Sequence, residues 1–278
     1  MLITNLFNKI IPNVLVRRYA KIDRKTIVEI HRGVRGAKAN RQKYFEWVDR
    51  SNPKIQHNDH LLYVPSSGYE VYHHGEHIRS QFPGFNMEEW IGVDQNPDMK
   101  VHIEICCGFG HWLAAQCMQD QNKNSIYIGV EKWHKRAVHS LTRLLSKQET
   151  MHCKMISCEA LFLLKNVLTN CLVDNFYINF PEPWSKISRR MINKEFLEQI
   201  ALKIKKNGLL YITSDSEEYS NYCKSLLTCM PEWENDLQDQ PDGRVLNQLE
   251  GCVQTNAGFE GAMRASGCDI YYLRYKRK

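Results

Sequence analysis

The sequence has 278 residues, which is enough for one large domain or for one domain with an extension. Hydrophobic residues make up 43% and charged residues 24%, and 13 Tyr, 10 Phe and 6 Trp are too many for a disordered chain. No apolar run approaches the roughly 18 residues that a transmembrane helix needs. This composition excludes collagen, coiled-coil and integral membrane proteins.

Positive charge is concentrated at the amino-terminal end. Residues 1–50 carry 12 basic and 4 acidic residues, whereas the remaining chain carries 25 basic and 27 acidic residues. A basic arm on a nearly neutral body indicates a polyanionic partner, with nucleic acid as the first candidate. Residues 17–50 are predicted to be helical, and a solvated basic helix without a partner is the alternative interpretation.

The ten cysteines contain no Cys-x-x-Cys pair, so the sequence gives no support for a zinc ribbon or a thioredoxin-like redox site. We expect them to be small buried thiols in a reducing compartment rather than disulfides. The histidines at 73, 74 and 77 are expected in exposed loops, so no metal site is predicted. Because residues 1–16 lack the pattern of a secretory signal, we expect a cytoplasmic protein, with an organelle transit peptide as the alternative.

From about residue 99 onward, strand-like and helix-like segments alternate. Such alternation predicts an α/β fold with a doubly wound, mostly parallel sheet and helices on both faces, preceded by an extension over 1–98. Ligands bind at the carboxyl ends of the strands in such sheets. Strands are predicted at 101–107, 125–130, 153–157, 175–180, 209–213 and 270–275, and helices at 111–121, 132–147, 159–168 and 193–205.

The first predicted strand ends in a glycine-containing turn. Gly108 and Gly110 allow a tight turn and a close approach of the backbone to a ligand. Glu131 follows at the next strand end, where a carboxylate can accept both hydroxyls of a ribose. This combination suits dinucleotides and S-adenosylmethionine alike, and a purely structural turn remains an alternative. Leu113 replaces the third glycine of a dinucleotide fingerprint, which argues against an NAD-dependent dehydrogenase.

A second motif follows the strand at 175–180. Its two prolines fold the chain sharply, so that Asn179 and Glu182 are expected to point into the crevice, while Trp184 offers a flat surface for a base or for packing. A rigid loop around a core tryptophan is the alternative. Three cations that would suit phosphate contacts come next: Lys186, Arg189 and Arg190.

These motifs resemble the S-adenosylmethionine-dependent tRNA (guanine-N7)-methyltransferases over about 99–278. The markers are the Glu-Ile opening at 104, Gly-Val-Glu at 129–131, Glu-Ala at 159–160, Asn-Phe-Pro-Glu-Pro-Trp at 179–184, Ser-Asp at 214–215 and Phe-Glu at 259–260. The resemblance implies a Rossmann-like class I methyltransferase with tRNA as its partner. We expect a monomer or weak dimer, and the need for a partner subunit stays open.

The resemblance also implies residue roles. Cofactor-binding residues would be Glu104, Gly108, Gly110, Glu131, Glu159, Ala160 and Asn179. The residue implied to hold the target guanine, and hence the catalytic one, is Glu182. Substrate-binding residues would be Lys186, Arg189, Arg190, Asp215 and Glu260.

The chain departs from the family pattern at several of these positions. Cys106 replaces the first glycine of the loop, Glu182 replaces an Asp, Glu159 replaces an Asp or Asn, and Ala257 replaces a Thr. The basic segment after Trp184 is also shortened. These differences keep two alternatives open: a methyltransferase acting on another RNA or on a protein, and a catalytically weak relative that binds RNA or a partner.

Overall fold

The computed structural model describes residues 62–63, 86–119, 124–133, 136–137, 140, 144 and 153–278. The basic arm at 17–50, the histidines at 73, 74 and 77 and most of the helix predicted at 132–147 lie outside the described residues. The division into an extension over 1–98 and a domain over 99–278 therefore stays a prediction.

The described strands form one sheet of nine strands in the order β1-β4-β3-β2-β5-β6-β9-β7, with β8 paired to β9. Neighbours from β1 to β6 run parallel, whereas β9 is antiparallel to β6, β7 and β8. This confirms the predicted mostly parallel sheet. The strands are β1 Leu62–Tyr63, β2 Lys100–Ile105, β3 Ser125–Val130, β4 Cys153–Ile156, β5 Val173–Asn179, β6 Ile204–Ser214, β7 Trp233–Asn235, β8 Val245–Leu246 and β9 Tyr271–Arg277.

Helices cover both faces of the sheet, as predicted. The α-helices whose bounds the structure describes are α1 Met87–Ile91, α2 His111–Gln119, α3 Ala160–Asn166, α4 Lys194–Lys203, α5 Glu217–Thr228 and α6 Gly258–Ala265. Apolar residues of α3, α4 and α5 pack with isoleucines of β2, β3, β5 and β6 in the main core. On the other face, α2 packs in a smaller core with Tyr127 and Met155. In the part of the chain that the structure describes, no helix combines the length and apolarity needed to cross a membrane.

The boundary between α4 and β6 differs from the predicted one. The helix was expected over 193–205 with a stop at Asn207-Gly208, but it ends at Lys203 and the strand starts at once at Ile204. Tertiary contacts explain the earlier end, because Ile204 is buried and pairs with Val173 of β5. The turn residues instead sit inside the strand, where Asn207 has a φ of 65°.

Several elements had no clear signal in the sequence. Helices α1, α5 and α6 and the short strands β7 and β8 were not predicted. The α5 sequence is largely polar outside its buried stripe, which consists of Tyr219, Ser220, Cys223 and Leu227. Long-range pairing with β9 stabilises β7 and β8, so local sequence carries little information about them.

The expectation of small buried thiols rather than disulfides holds for only some of the cysteines. Cys117 of α2 and Cys153 of β4 form a disulfide, with their Cα atoms 6.9 Å apart. Of the remaining eight, Cys106, Cys171, Cys229 and Cys268 are exposed. Cys107, Cys158 and Cys223 are buried and fit the original interpretation as small core residues.

Candidate functional site

The turn after β2 opens a crevice at the carboxyl ends of the parallel strands. Cys106, Gly108 and Gly110 all adopt positive φ angles, of 59°, 58° and 66°. A Cβ on Gly110 would lie 1.8 Å from Ser140 Oγ, so this position requires glycine. A Cβ on Gly108 would meet no described atom within 4 Å, which leaves space for a ligand beside the backbone.

Glu104 of β2 lies at the base of this crevice and is buried. Its Oε1 accepts a hydrogen bond of 3.0 Å from Asn179 Nδ2, while its Oε2 is buried and has no partner among the described residues. Desolvation raises the pKa of Glu104 to about 8, and the charges of Glu131 and Glu260 add to this rise. A buried carboxyl with an unpaired oxygen is a suitable partner for a cationic or hydrogen-bond-donating ligand.

Glu131 follows β3 and connects two backbone segments of the site. Its Oε2 accepts a hydrogen bond of 3.0 Å from Gly108 N, and its Oε1 accepts one of 2.8 Å from Trp133 N. Burial raises the pKa of this carboxyl, although these backbone hydrogen bonds oppose the rise. The backbone N–H of Lys132 is a third donor to this carboxylate, which offers about four acceptor positions, so Glu131 keeps acceptor capacity for a ribose hydroxyl.

Glu159 follows β4 and caps α3. Its Oε2 accepts a hydrogen bond of 2.8 Å from Phe162 N, and Ala160 next to it is buried at the first position of the helix. The carboxylate is therefore held at a helix amino terminus, where a negative charge is favourable. This places the predicted Glu-Ala pair at the strand end, as the fold requires.

Cys106 marks the point where the acidic residues converge. Desolvation by the surrounding protein raises the pKa of its thiol to about 12, even though the residue is exposed at the crevice. The charges of four carboxylates raise it further, and they come from the ends of four neighbouring strands: Glu104, Glu131, Glu159 and Glu182. The structure therefore brings Glu104, Glu131 and Glu159 to the same edge of the sheet, with Glu182 exposed on the neighbouring loop.

The loop after β5 carries the predicted substrate residues to the surface. Phe180 has a φ of 51°, and the two prolines then turn the chain outward. Glu182, Lys186 and Arg189 are exposed, and the Arg189 guanidinium lies 5.7 Å from the centre of the Trp184 ring. Trp184 is also exposed, which contradicts the alternative of a loop built around a core tryptophan.

The prediction that Arg190 contacts RNA phosphates is wrong, because its side chain is buried. The residue is only 5% exposed, and its side chain is held by Trp184, Glu218 and two tyrosine rings. An Arg-Arg pair in a sequence does not indicate which of the two cations is buried. The partner Glu218 is far along the chain, so no local pattern pointed to it.

Asp215 and Glu260 occupy different environments. Asp215 is half-buried just after β6. Glu260 is buried in α6, where Oε2 accepts a hydrogen bond of 3.1 Å from Thr255 N and Oε1 accepts one of 2.7 Å from Arg264 Nη2. Thr255 Oγ1 also lies 3.2 Å from Glu260 Oε2. Thr255 thus supplies a hydroxyl near the position where Ala257 replaces the threonine of the family pattern.

Two further residues of this region were not predicted. Thr213 of β6 is buried with no partner for its hydroxyl among the described residues, and its Cα pairs in register with that of Asn179. Met191 Sδ lies 3.4 Å from Cys106 Sγ, which connects the loop after β5 to the loop after β2. Neither residue belongs to a sequence pattern, since both positions follow from strand register and loop path.

Comparison with known proteins identifies the family to which this site belongs. Residues 98–272 match the family model Methyltransf_4, whose description reads "Putative methyltransferase". The chain belongs to this methyltransferase family. The matched range contains the carboxylates of the crevice and the loop that carries Glu182, and the sheet order agrees with the predicted Rossmann-like class I methyltransferase fold.

Individual relatives extend the comparison. This methyltransferase is 27% identical over 237 residues to a tRNA (guanine-N(7)-)-methyltransferase of Chlamydia felis, covering 84% of this chain and 94% of the relative. It is 31% identical over 178 residues to one of Pseudomonas paraeruginosa, covering 63% of this chain and 70% of the relative. Among solved structures, TrmN from Thermus thermophilus is 12% identical with a TM-score of 0.47, covering 67% of this chain and 47% of that chain.

Proposed function

We propose that this methyltransferase transfers a methyl group from S-adenosylmethionine to N7 of a guanine in tRNA. The observation that carries the proposal is the grouping of Glu104, Glu131 and Asn179 around the turn at 106–110, where Asn179 Nδ2 donates to Glu104 and Gly108 N donates to Glu131. A crevice lined by carboxyl groups favours a ligand that carries a positive sulfonium, because this charge stabilises their ionised forms, and it favours a product base that becomes positive on methylation. The names of the relatives from Chlamydia felis and Pseudomonas paraeruginosa support tRNA guanine N7 as the target.

The residues of the crevice fit this cofactor. Glu104 Oε2 is buried without a partner among the described residues and suits the ammonium of the methionine part of the cofactor. The open space beside Gly108 leaves room for the rest of the methionine part. The acceptor positions left on Glu131 suit the ribose hydroxyls, and Glu159 with Ala160 suits the adenine. When bound, S-adenosylmethionine supplies a methyl group that the sulfonium already activates.

The chain's own residues need to provide alignment rather than proton transfer. Guanine N7 has a free lone pair and no proton to lose, so no general base is needed at the nucleophile. Glu182, with Asp215, would hold the Watson–Crick edge of the base and offset the charge that develops on the ring. Positioning of this kind contributes up to about 7–11 kcal/mol in favourable cases.

The exposed face of the loop after β5 suits contact with RNA. Guanine N7 lies in the deep groove of A-form RNA, where side chains do not reach it, so the target base must be in an irregular region or extruded. Lys186 and Arg189 would bind backbone phosphates, and exposed Trp184 would stack on a base. We also propose a cytoplasmic location for this reaction.

The substitution Glu182→Gln tests the role of the loop. We expect methyl transfer to fall about 100-fold, because the amide no longer offsets the developing charge, while S-adenosylmethionine binding measured by calorimetry stays unchanged. Glu198→Gln on the exposed face of α4 is the matched control and should leave both quantities unchanged. Equal loss of cofactor affinity and activity in Glu182→Gln would contradict a role for Glu182 in holding the base.

A further inference from the structure

We propose that Arg190 is a positioning residue that fixes the loop carrying Glu182 against helix α5, and that it does not bind RNA. The proposal rests on the proposed function, because the loop matters through the base that Glu182 holds. Arg190 is 5% exposed, in contrast to Arg189 beside it, which is exposed. Its guanidinium therefore acts inside the protein.

On the loop side, the Arg190 guanidinium holds the backbone of the Pro-Glu-Pro-Trp segment. Arg190 Nε donates a hydrogen bond of 2.7 Å to the carbonyl oxygen of Trp184. This carbonyl lies two residues after Glu182, and the short helix at 187–189 connects it back to Arg190. The loop is therefore closed on itself by a charged hydrogen bond at its base.

On the helix side, the same guanidinium binds the first turn of α5. Arg190 Nη2 donates a hydrogen bond of 2.7 Å to Glu218 Oε1. The guanidinium carbon lies 4.6 Å from the ring centre of Tyr222 and 5.3 Å from that of Tyr219, which are cation–π distances. Asp215 immediately precedes the cap of this helix, so the arginine joins the loop of Glu182 to the segment of Asp215.

This arrangement depends on the shape of the arginine side chain. A guanidinium is planar and offers separate N–H groups to two acceptors, and it stacks on aromatic rings. A lysine keeps the charge but provides one compact ammonium without the fixed fork. In Arg190→Lys, the loop that carries Glu182 should therefore be less firmly fixed relative to Asp215. The part of the crevice that holds the cofactor should be unchanged.

The first test measures methyl transfer to tRNA by Arg190→Lys. We expect kcat to fall about 10- to 100-fold, because small misplacements of a reacting group have effects of this size, with the Kd for S-adenosylmethionine unchanged. Arg277→Lys is the matched control, since Arg277 Nε donates to the carbonyl oxygen of Ala201 in a part of the sheet away from the crevice. The control should lose stability without this loss of kcat.

A surface substitution guards against a variant that fails to fold. The side chain of Glu218 is 79% exposed, so Glu218→Gln removes the charge of the ion pair without opening the core. Glu218→Gln should lower kcat, but by less than Arg190→Lys does. The double variant should lower kcat by a smaller factor than the product of the two single factors. Independent, multiplicative effects would overturn the proposal that the pair acts as a unit.

A second readout does not depend on the reaction. With 5-fluorotryptophan incorporated, the fluorine signal of Trp184, assigned by its loss in Trp184→Phe, should shift or broaden in Arg190→Lys and stay unchanged in Arg277→Lys. An unchanged Trp184 signal would overturn the positioning role, whatever the activity. If the wild-type protein does not methylate tRNA, the proposed function fails, and this signal still tests whether Arg190 holds the loop.

Discussion

Cys106 occupies a backbone conformation that glycine adopts without strain. Its φ of 59° lies in the left-handed region, which costs an L-amino acid with a Cβ roughly 1–2 kcal/mol. The family pattern has glycine at this position. Cys106 thus keeps the backbone conformation that the glycine would adopt. This strained residue directly follows β2, in the turn that borders the crevice, and backbone strain of this kind is common at functional sites.

Two substitutions at Cys106 should therefore differ in their effect on stability. Cys106→Gly should leave the free energy of unfolding within about 1 kcal/mol of wild type, because relief of strain offsets the greater freedom of the unfolded chain. Cys106→Val should lower it by about 2 kcal/mol or more, since β-branched residues resist positive φ. Urea denaturation measures both, and equal stability of the two variants would contradict the argument from strain.

Glu104 should make the stability of the protein depend on pH. Its pKa is about 8 in the folded state against an ordinary 4.5, so stability falls as pH rises from about 4.5 towards 8, since the unfolded state ionises first. Glu104→Gln should remove most of this fall, up to about 5 kcal/mol as an upper bound.

Urea unfolding at pH 5 and pH 8.5 measures this difference between Glu104→Gln and wild type. A residual slope from Glu131 is expected in the variant, because burial raises the pKa of Glu131 as well. The same dependence on pH in both proteins would contradict the assignment of the effect to Glu104.

At the scale of elements, the cap of α5 connects stability to the site. Ser216 Oγ accepts a hydrogen bond of 3.2 Å from Tyr219 N, directly after Asp215. Ser216→Ala should lower the free energy of unfolding by about 1 kcal/mol and also lower kcat, because the start of the helix positions Asp215.

The corresponding cap of α4 provides the control. Asn193 Oδ1 accepts a hydrogen bond of 3.0 Å from Phe196 N, so Asn193→Ala should cause a similar loss of stability. It should leave the kcat of methyl transfer unchanged, because α4 packs on the sheet without carrying a site residue. If Ser216→Ala and Asn193→Ala lowered kcat by similar factors for a similar loss of stability, the positioning role of the α5 cap would be contradicted.

The sequence allowed prediction of those elements whose signals are local. The buried strands β2, β3 and β5 and the turn at 108–110 have apolar runs and glycines that are informative by themselves. The acidic residues could be placed because the ends of parallel strands meet at one edge of a sheet. The antiparallel edge strands, the burial of Arg190 and the pairing of Cys117 with Cys153 depend on contacts between distant segments, which local patterns do not report.

At the scale of the whole molecule, charge is divided between an acidic crevice and cations on the surface next to it. The crevice suits a cationic cofactor, and exposed Lys186 and Arg189 suit the phosphates of RNA. The predicted basic arm at 17–50 would add to this surface. Acidic residues would thus attract the cofactor, and a separate set of basic residues would attract the nucleic acid.

The salt dependence of tRNA binding tests this division. Changing both Lys186 and Arg189 to Ala should lower the slope of log affinity against log salt by about 0.7–0.9 for each phosphate that the variant no longer neutralises. Lys194→Ala on α4 is the control, because Lys194 is exposed and belongs to an element that carries no predicted RNA contact. A double variant with the wild-type slope would contradict the proposed RNA-binding face.

The most direct measurement is transfer of labelled methyl from S-adenosylmethionine to tRNA that lacks 7-methylguanosine, followed by nucleoside analysis of the product. We expect label in 7-methylguanosine, and loss of that label in Glu182→Gln. Label in another nucleoside or in protein would contradict the proposed target while keeping the methyltransferase assignment. No label from folded protein that binds neither S-adenosylmethionine nor tRNA would contradict the function proposed for the crevice.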